Sequence, residues 1–257
     1  SPLDESWNQL IIDAVFWLCP QPKARIAFDY THNPFYTIDP WENTPGAIVG
    51  RYEVWRNDLV MRGYLVDKLF PSTEGALTSQ RLSPYQVLVE MIPDDIVGIN
   101  FTSAEVAVVS DWVNSGGGLL VLGDNEYLIT PNRMLNYLLS SFNVVISEDG
   151  ISDNFVNVYD ERDHPTTEGC TQLYMIFSGY VNYSSTGFPL WTQDGNTYVA
   201  GDTYGDGRII LSSDINYIED DYIQNQDNRD YAINMINWLS AGKASVLYYT
   251  TEPESLN

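Results

Sequence analysis

The chain is punctuated by short, unbroken apolar runs. They are too brief for helices and too continuous for strands with one wet face. "GGLLVLGD" (117–124) and "GRIILSSD" (207–214) are the clearest, each opening on glycine and ending on aspartate. A strand apolar on both faces must be covered on both, which is the condition of a parallel sheet between two helical layers. "ARIAFDY" (24–30), "YQVLVEMI" (85–92), "FNVVIS" (142–147) and "NTYVAGDTY" (196–204) are further strand expectations.

Helical patterns fill the intervals. "GRYEVWRNDLVMRGYLVDKLF" (50–70) places Leu59, Val60, Leu65, Leu69 and Phe70 near one face at a period close to 3.6. "TSAEVAVVSDWVNSG" (102–116) opens on Thr102 or Ser103 as a cap with Glu105 or a nearby backbone group answering, and stops at Gly116-Gly117-Gly118. "NRMLNYLLSSF" (132–142) and "NRDYAINMINWL" (228–239) are the others. Gly205-Asp206-Gly207 is a tight-turn signal between two strand runs. The expected fold class is α/β, a three-layer sandwich with a mostly parallel, flavodoxin-like sheet plus a C-terminal β-hairpin.

The chain also ends as it begins. "IIDAVFWLCPQPKARIAFDYTH" (11–32) and "AINMINWLSAGKASVLYYTTEP" (232–253) align Trp17-Leu18 with Trp238-Leu239 and Lys23-Ala24 with Lys243-Ala244. Each reads as a helix end, a short loop and a strand. This predicts a complete α/β domain over 24–240. Residues 1–23 would be the closing helix of a preceding repeat or a packing segment, and 241–257 the first strand of a following repeat or a tail. Neighbouring tandem domains follow from that reading.

A formal charge of −23 makes nucleic acid an unfavourable partner, because it too is a polyanion. No apolar run reaches the ~20 residues that span a bilayer, so no membrane insertion is expected. Scarce Lys with abundant Tyr, Asn, Ser and Thr has an extracellular or cell-surface flavour, the alternative being cytoplasmic. Cys19 and Cys170 are in no CxxC spacing, which excludes zinc-finger and thioredoxin readings. A disulfide between them and two buried thiols both remain open.

Three segments carry a resemblance: "FTSAEVAVVSDWVNSGGGLLVLGDNEYL", "RDHPTTEG", and "GDTYGDGRIILSSDINYIEDDYIQNQDNRDYAINMINWL". Together they resemble the class I glutamine-amidotransferase-like superfamily, nearest its non-catalytic branch shared by gliding-motility proteins, intraflagellar-transport proteins and prokaryotic surface proteins. The amidotransferases of this fold carry Cys in a Gly-x-Cys-x-Gly elbow, with a His and an acid later. The comparable strand end here reads Gly123-Asp124-Asn125-Glu126-Tyr127, and the later one Ser212-Ser213-Asp214-Ile215-Asn216. The resemblance therefore implies the fold without the chemistry.

Open α/β sheets place ligands at the carboxyl ends of their strands. Those ends supply Asp29, His32, Glu90, Asp124, Glu126 and Asp214 as candidates to hold Ca²⁺ or Mg²⁺. The bland alternative is that each acid caps a helix or satisfies loop amides. Glu219, Asp220, Asp221 and Asp227, in "YIEDDYIQNQDNRDY", are weaker candidates without EF-hand spacing. His164 sits beside Asp160, Glu161 and Asp163, which would favour its charged form. Phe35, Tyr36 and Trp41 in one loop, and the aromatics of "YVNYSSTGFPLW" (180–191), could stack on a sugar or anchor a protein. The expected function is a non-catalytic binding or scaffolding domain of a multidomain extracellular or surface protein, for a protein, a glycan or a divalent cation. A metal-assisted hydrolase using Asp29, His32, Asp124 and Asp214 is the alternative enzyme reading, and a structural spacer is a third.

Overall fold

A computed structural model describes residues 23–40, 50–73, 75–150 and 155–242. Trp41, Cys19 and nearly all of both end segments lie outside the described residues, and with them the repeat at the termini.

The strands in chain order are β1 (Arg25–Asp29), β2 (Leu65–Leu69), β3 (Val87–Met91), β4 (Gly118–Leu122), β5 (Val144–Ile146), β6 (Val156–Val158), β7 (Asp160–Glu161), β8 (Leu173–Met175), β9 (Val181–Tyr183), β10 (Phe188–Gln193), β11 (Asn196–Tyr204) and β12 (Gly207–Ser212). The helices are α1 (Glu53–Met61), α2 (Ser79–Leu82), α3 (Ser103–Asn114), α4 (Ile129–Leu138) and α5 (Asn228–Ser240). Eight strands form one sheet in the order β2-β1-β3-β4-β12-β11-β10-β7. The first five run parallel, and β11, β10 and β7 continue it antiparallel.

Every residue of β3 and β4 is buried, so the central strands are covered on both faces, as their unbroken apolar runs require. α1 packs beside α5, while α3 packs beside α2 and α4. The α3 start is a complete capping box: Thr102 accepts from the Glu105 amide at 3.2 Å, and Glu105 accepts from the Thr102 amide at 2.8 Å. The expected hairpin is present as β11 and β12, with Tyr204 opposite Gly207. Its second strand pairs in parallel with β4, so the hairpin is part of the sheet's centre.

Two sequence expectations are corrected. The helix expected over 50–70 ends at Met61, and Gly63, at φ +91°, turns the chain into β2. The apolar periodicity there is accidental: Val60, Leu65 and Phe70 are exposed, while Leu59 and Leu69 are buried on different elements. β2 is the edge strand, where parallel pairing with β1 overrides helical spacing. The segment 180–191 is β9 followed by β10, with Trp191 fully buried in the core rather than displayed on a loop.

Candidate functional site

The strand-end acids do not form one constellation. They separate into two groups, because β1 and β3 are neighbours in the sheet, as are β4 and β12.

The first group is built by register. Phe28 lies opposite Val89, so Asp29 and Glu90, one residue further on, leave the sheet side by side. The chain then turns tightly: the Thr31 amide donates to Asp29 at 2.8 Å, and His32 Nδ1 bonds the other Asp29 oxygen. Asp29, His32 and Glu90 each offer a ligand atom, all within 4.8 Å of one another. All three are at least 97% buried. The His32 ring stacks on Phe101 at 3.9 Å, and its Nε2 lies 3.6 Å from Glu105 Oε1. Burial, then the neighbouring Asp29 and Glu105, raise the Glu90 carboxyl well above its ordinary range. Glu105 was visible in the sequence only as a helix cap; its second oxygen accepts from the Leu77 amide at 3.3 Å and lies beside the histidine.

The second group is Asp124, Asp214 and Glu219. Asp124 follows β4 and accepts from both nitrogens of Asn125 at 2.6 Å. Asn132 on α4 clamps this turn, accepting from the Asp124 amide at 3.0 Å and donating to the Asp124 and Asn125 carbonyls. Asp214 follows β12, is fully buried, and accepts from the amides of Ile176, Asn216 and Tyr217. Burial pushes Asp214 up to about 7 against those three donors, and pushes Glu219 up to about 7 as well. Burial and then Asp214 raise Asp124 well above its ordinary value. A cleft of about 340 Å³ opens over this group, lined by Phe35, Tyr36, Asp124, Asn125, Phe177 and Asn216 among others. Tyr127 stands at its rim, 77% exposed.

Phe177 is the residue that sequence reasoning missed. It is 42% exposed, and its backbone sits in the left-handed region at φ +50°, where a non-glycine residue is strained. The Asn125 side chain donates to its carbonyl at 2.6 Å, which holds the strained turn against the Asp124 loop. No composition or spacing signal marks a left-handed phenylalanine.

The remaining candidates do local work. Glu126 accepts from the Gly150 amide at 2.9 Å. Asp220 accepts from the Val54 amide at 2.8 Å, capping α1 from outside the helix. Asp227 holds the amides of Thr171 and Gln172, and Asp221 pairs with Arg51 at the surface. The expectation for His164 is reversed: burial, then Arg162 and Arg208, lower its pKa. Cys170 is a buried free thiol, pushed up to about 12 by burial and by Asp227, the opposite of what a nucleophile needs. Among the described residues, no helix is long and apolar enough to cross a membrane.

No protein-family model matches the chain, and no curated protein matches it. Solved structures do. The mmIFT52 N-terminal domain superposes with a TM-score of 0.67 at 15% identity, over 87% of this chain and 100% of that one. The cytoplasmic protein STM3548 from Salmonella typhimurium gives 0.62 at 13% identity, over 84% and 98%. A ThuA-like protein from Bacteroides uniformis gives 0.52 at 13% identity, over 86% and 92%. At these identities the likeness concerns the fold alone, an α/β fold with a large, mostly parallel, flavodoxin-like sheet.

Proposed function

We propose that this is a non-catalytic binding domain whose cleft at the ends of β4 and β12 takes a neutral, polyhydroxylated ligand such as a glycan. The observation that supports it most is Phe177, a half-exposed ring held at a strained backbone position beside a cleft lined by Phe35 and Tyr36. Sugar rings present apolar C–H faces and rows of hydroxyls. Aromatic faces meet the first, and Asn125, Asn216 and Asp124 meet the second with donors and acceptors. The buried acids beneath the cleft disfavour an anionic ligand.

Isothermal titration with neutral oligosaccharides such as cello-, manno- and maltohexaose, chosen from a glycan-array screen, tests this reading. Phe177→Gly is the informative variant. Glycine relieves a left-handed strain of about 1–2 kcal/mol, which offsets the lost ring contacts. Stability should therefore stay within about 1 kcal/mol of the parent, while affinity falls at least about tenfold, as for a buried aromatic anchor. An array with no bound glycan, or a variant that binds as the parent does, would sink the proposal. A variant that mainly loses stability would make Phe177 a packing residue.

A further inference from the structure

The Asp29–His32–Glu90 cluster lies apart from the aromatic cleft, and the binding proposal above makes no use of it. Three carboxylates, counting Glu105, and one imidazole are enclosed there. If all carboxylates are ionised, even an imidazolium leaves net negative charge in a nearly water-free space. Buried charge of this kind is retained when a proton or a cation offsets it.

The hydrogen bonds show which positions are already filled. Asp29 accepts from the Thr31 amide and pairs with His32 Nδ1, which also bonds the Thr31 hydroxyl, while Glu105 accepts from the Thr102 amide and hydroxyl and, at Oε1, from the Leu77 amide. Glu90 is different: it is 1% exposed, and its Oε1 has no hydrogen-bond partner. An orphaned carboxylate oxygen at full burial is costly unless something outside the protein meets it. It belongs to the same trio of converging ligand atoms as Asp29 and His32.

We propose that Asp29, His32 and Glu90 form a binding site for one zinc-class divalent cation, with Glu105 orienting the imidazole. The donor set selects the ion. Two carboxylate oxygens and an imidazole nitrogen are the ligands of zinc, cobalt or manganese sites. Calcium needs six to eight oxygens, whereas this trio offers two carboxylates and an imidazole nitrogen. Ligand distances of about 2.0–2.2 Å place tetrahedral ligand atoms roughly 3.4 Å apart, so a trio within 4.8 Å closes on the ion with small side-chain movements. Glu105 Oε1, which accepts from the Leu77 amide, lies 3.6 Å from Nε2 and favours a proton there electrostatically, so the metal would take Nδ1 and displace its bonds to Asp29 and the Thr31 hydroxyl. Such a carboxylate behind a histidine ligand is a usual companion of metal sites. Glu105 is itself anchored by the α3 capping box, so the orienting group is rigid.

The test uses the full chain, stripped with EDTA and then titrated with ZnCl₂ or CoCl₂. We expect one equivalent to be retained after dialysis and a saturable rise in melting temperature, since a ligand confined to the folded state stabilises by mass action. Glu90→Gln and His32→Gln should each weaken retention at least about tenfold. The sequence has only two histidines, so ¹⁵N-histidine spectra of the unmutated chain provide a readout independent of variant folding. One imidazole should shift on adding zinc, and it should be His32 rather than His164. No retained metal, retention unchanged in both variants, or a shift confined to His164 would each overturn the proposal. The latter two would place the ion elsewhere on this acidic chain.

Discussion

Replacing Asn228 by alanine is expected to lower the unfolding free energy by about 3–4 kcal/mol. Its amide is fully buried at the first turn of α5. It accepts from the Tyr174 amide at 2.9 Å and donates to the carbonyls of Tyr174 and Tyr217 at 2.9 Å and Tyr222 at 3.2 Å. One side chain thus joins β8, the start of α5 and the loop that carries Glu219. Alanine would leave four backbone groups, the Tyr217 carbonyl buried and the other three partly so, to find other partners, and each unmet buried group costs roughly 1–3 kcal/mol. Partial relaxation and entering water bring the sum down to the stated figure. For a chain of this size the melting temperature should fall by roughly 10 °C, at 2–4 °C per kcal/mol. Urea unfolding followed by tryptophan fluorescence checks it. A loss below about 1 kcal/mol would mean that the loop is not held by this residue. Asn228→Asp should fare no better, since a carboxylate would face three carbonyl oxygens.

The second large expectation is that the protein is more stable at pH 5 than at pH 8. Asp214 stands at about 7 in the fold against an ordinary 3.8, through burial first, and Glu219 stands at about 7 against 4.5. A carboxyl raised on folding is protonated in the native state while the unfolded chain has already released its proton. Between about pH 4 and pH 7 the native state therefore binds more protons, and stability falls as pH rises. Above that window both states are ionised and the full penalty remains. For Asp214 alone, the full displacement corresponds to about 4 kcal/mol, of which roughly 3 kcal/mol falls above pH 5, an upper figure because Asp124, Asp214 and Glu219 titrate as a coupled set. Urea midpoints in EDTA at pH 5, 6, 7 and 8 measure it. A midpoint that stays level or climbs over this range would show that these acids are ionised throughout, held by the amides of Ile176, Asn216 and Tyr217. In Asp214→Asn the slope should be shallower, whatever its absolute stability.

Much of the architecture was legible in the residues. "LLVL" and "IILS" announced strands covered on both faces because a continuous apolar run has only that refuge. Thr102 and Glu105 announced a helix start because the capping box is a local exchange of hydrogen bonds. Gly205-Asp206-Gly207 announced its turn for the same local reason. β2 and the short strands β6 to β10 were not legible. Their sequences, such as "LVDKL" and "FPLWTQ", have no clean alternation, and they are strands because an edge or a neighbouring ladder accepts them.

The site divides in the same way. That Asp29, Glu90, Asp124 and Asp214 end strands could be read from their position after apolar runs, since strand ends in such sheets face a common edge. Their division into two groups could not. Which acids meet depends on strand order, and strand order is set by pairings between segments up to about a hundred residues apart. Only the tertiary structure places Glu105 behind His32, leaves Glu90 with an unmet oxygen, and holds Phe177 in a left-handed turn beside Phe35 and Tyr36. The sequence by itself determined the layers, because burial of apolar strands and local capping are properties of neighbouring residues. The partners of each buried charge were decided by the fold, because desolvation and hydrogen bonding act across distances in space that the order of residues does not record.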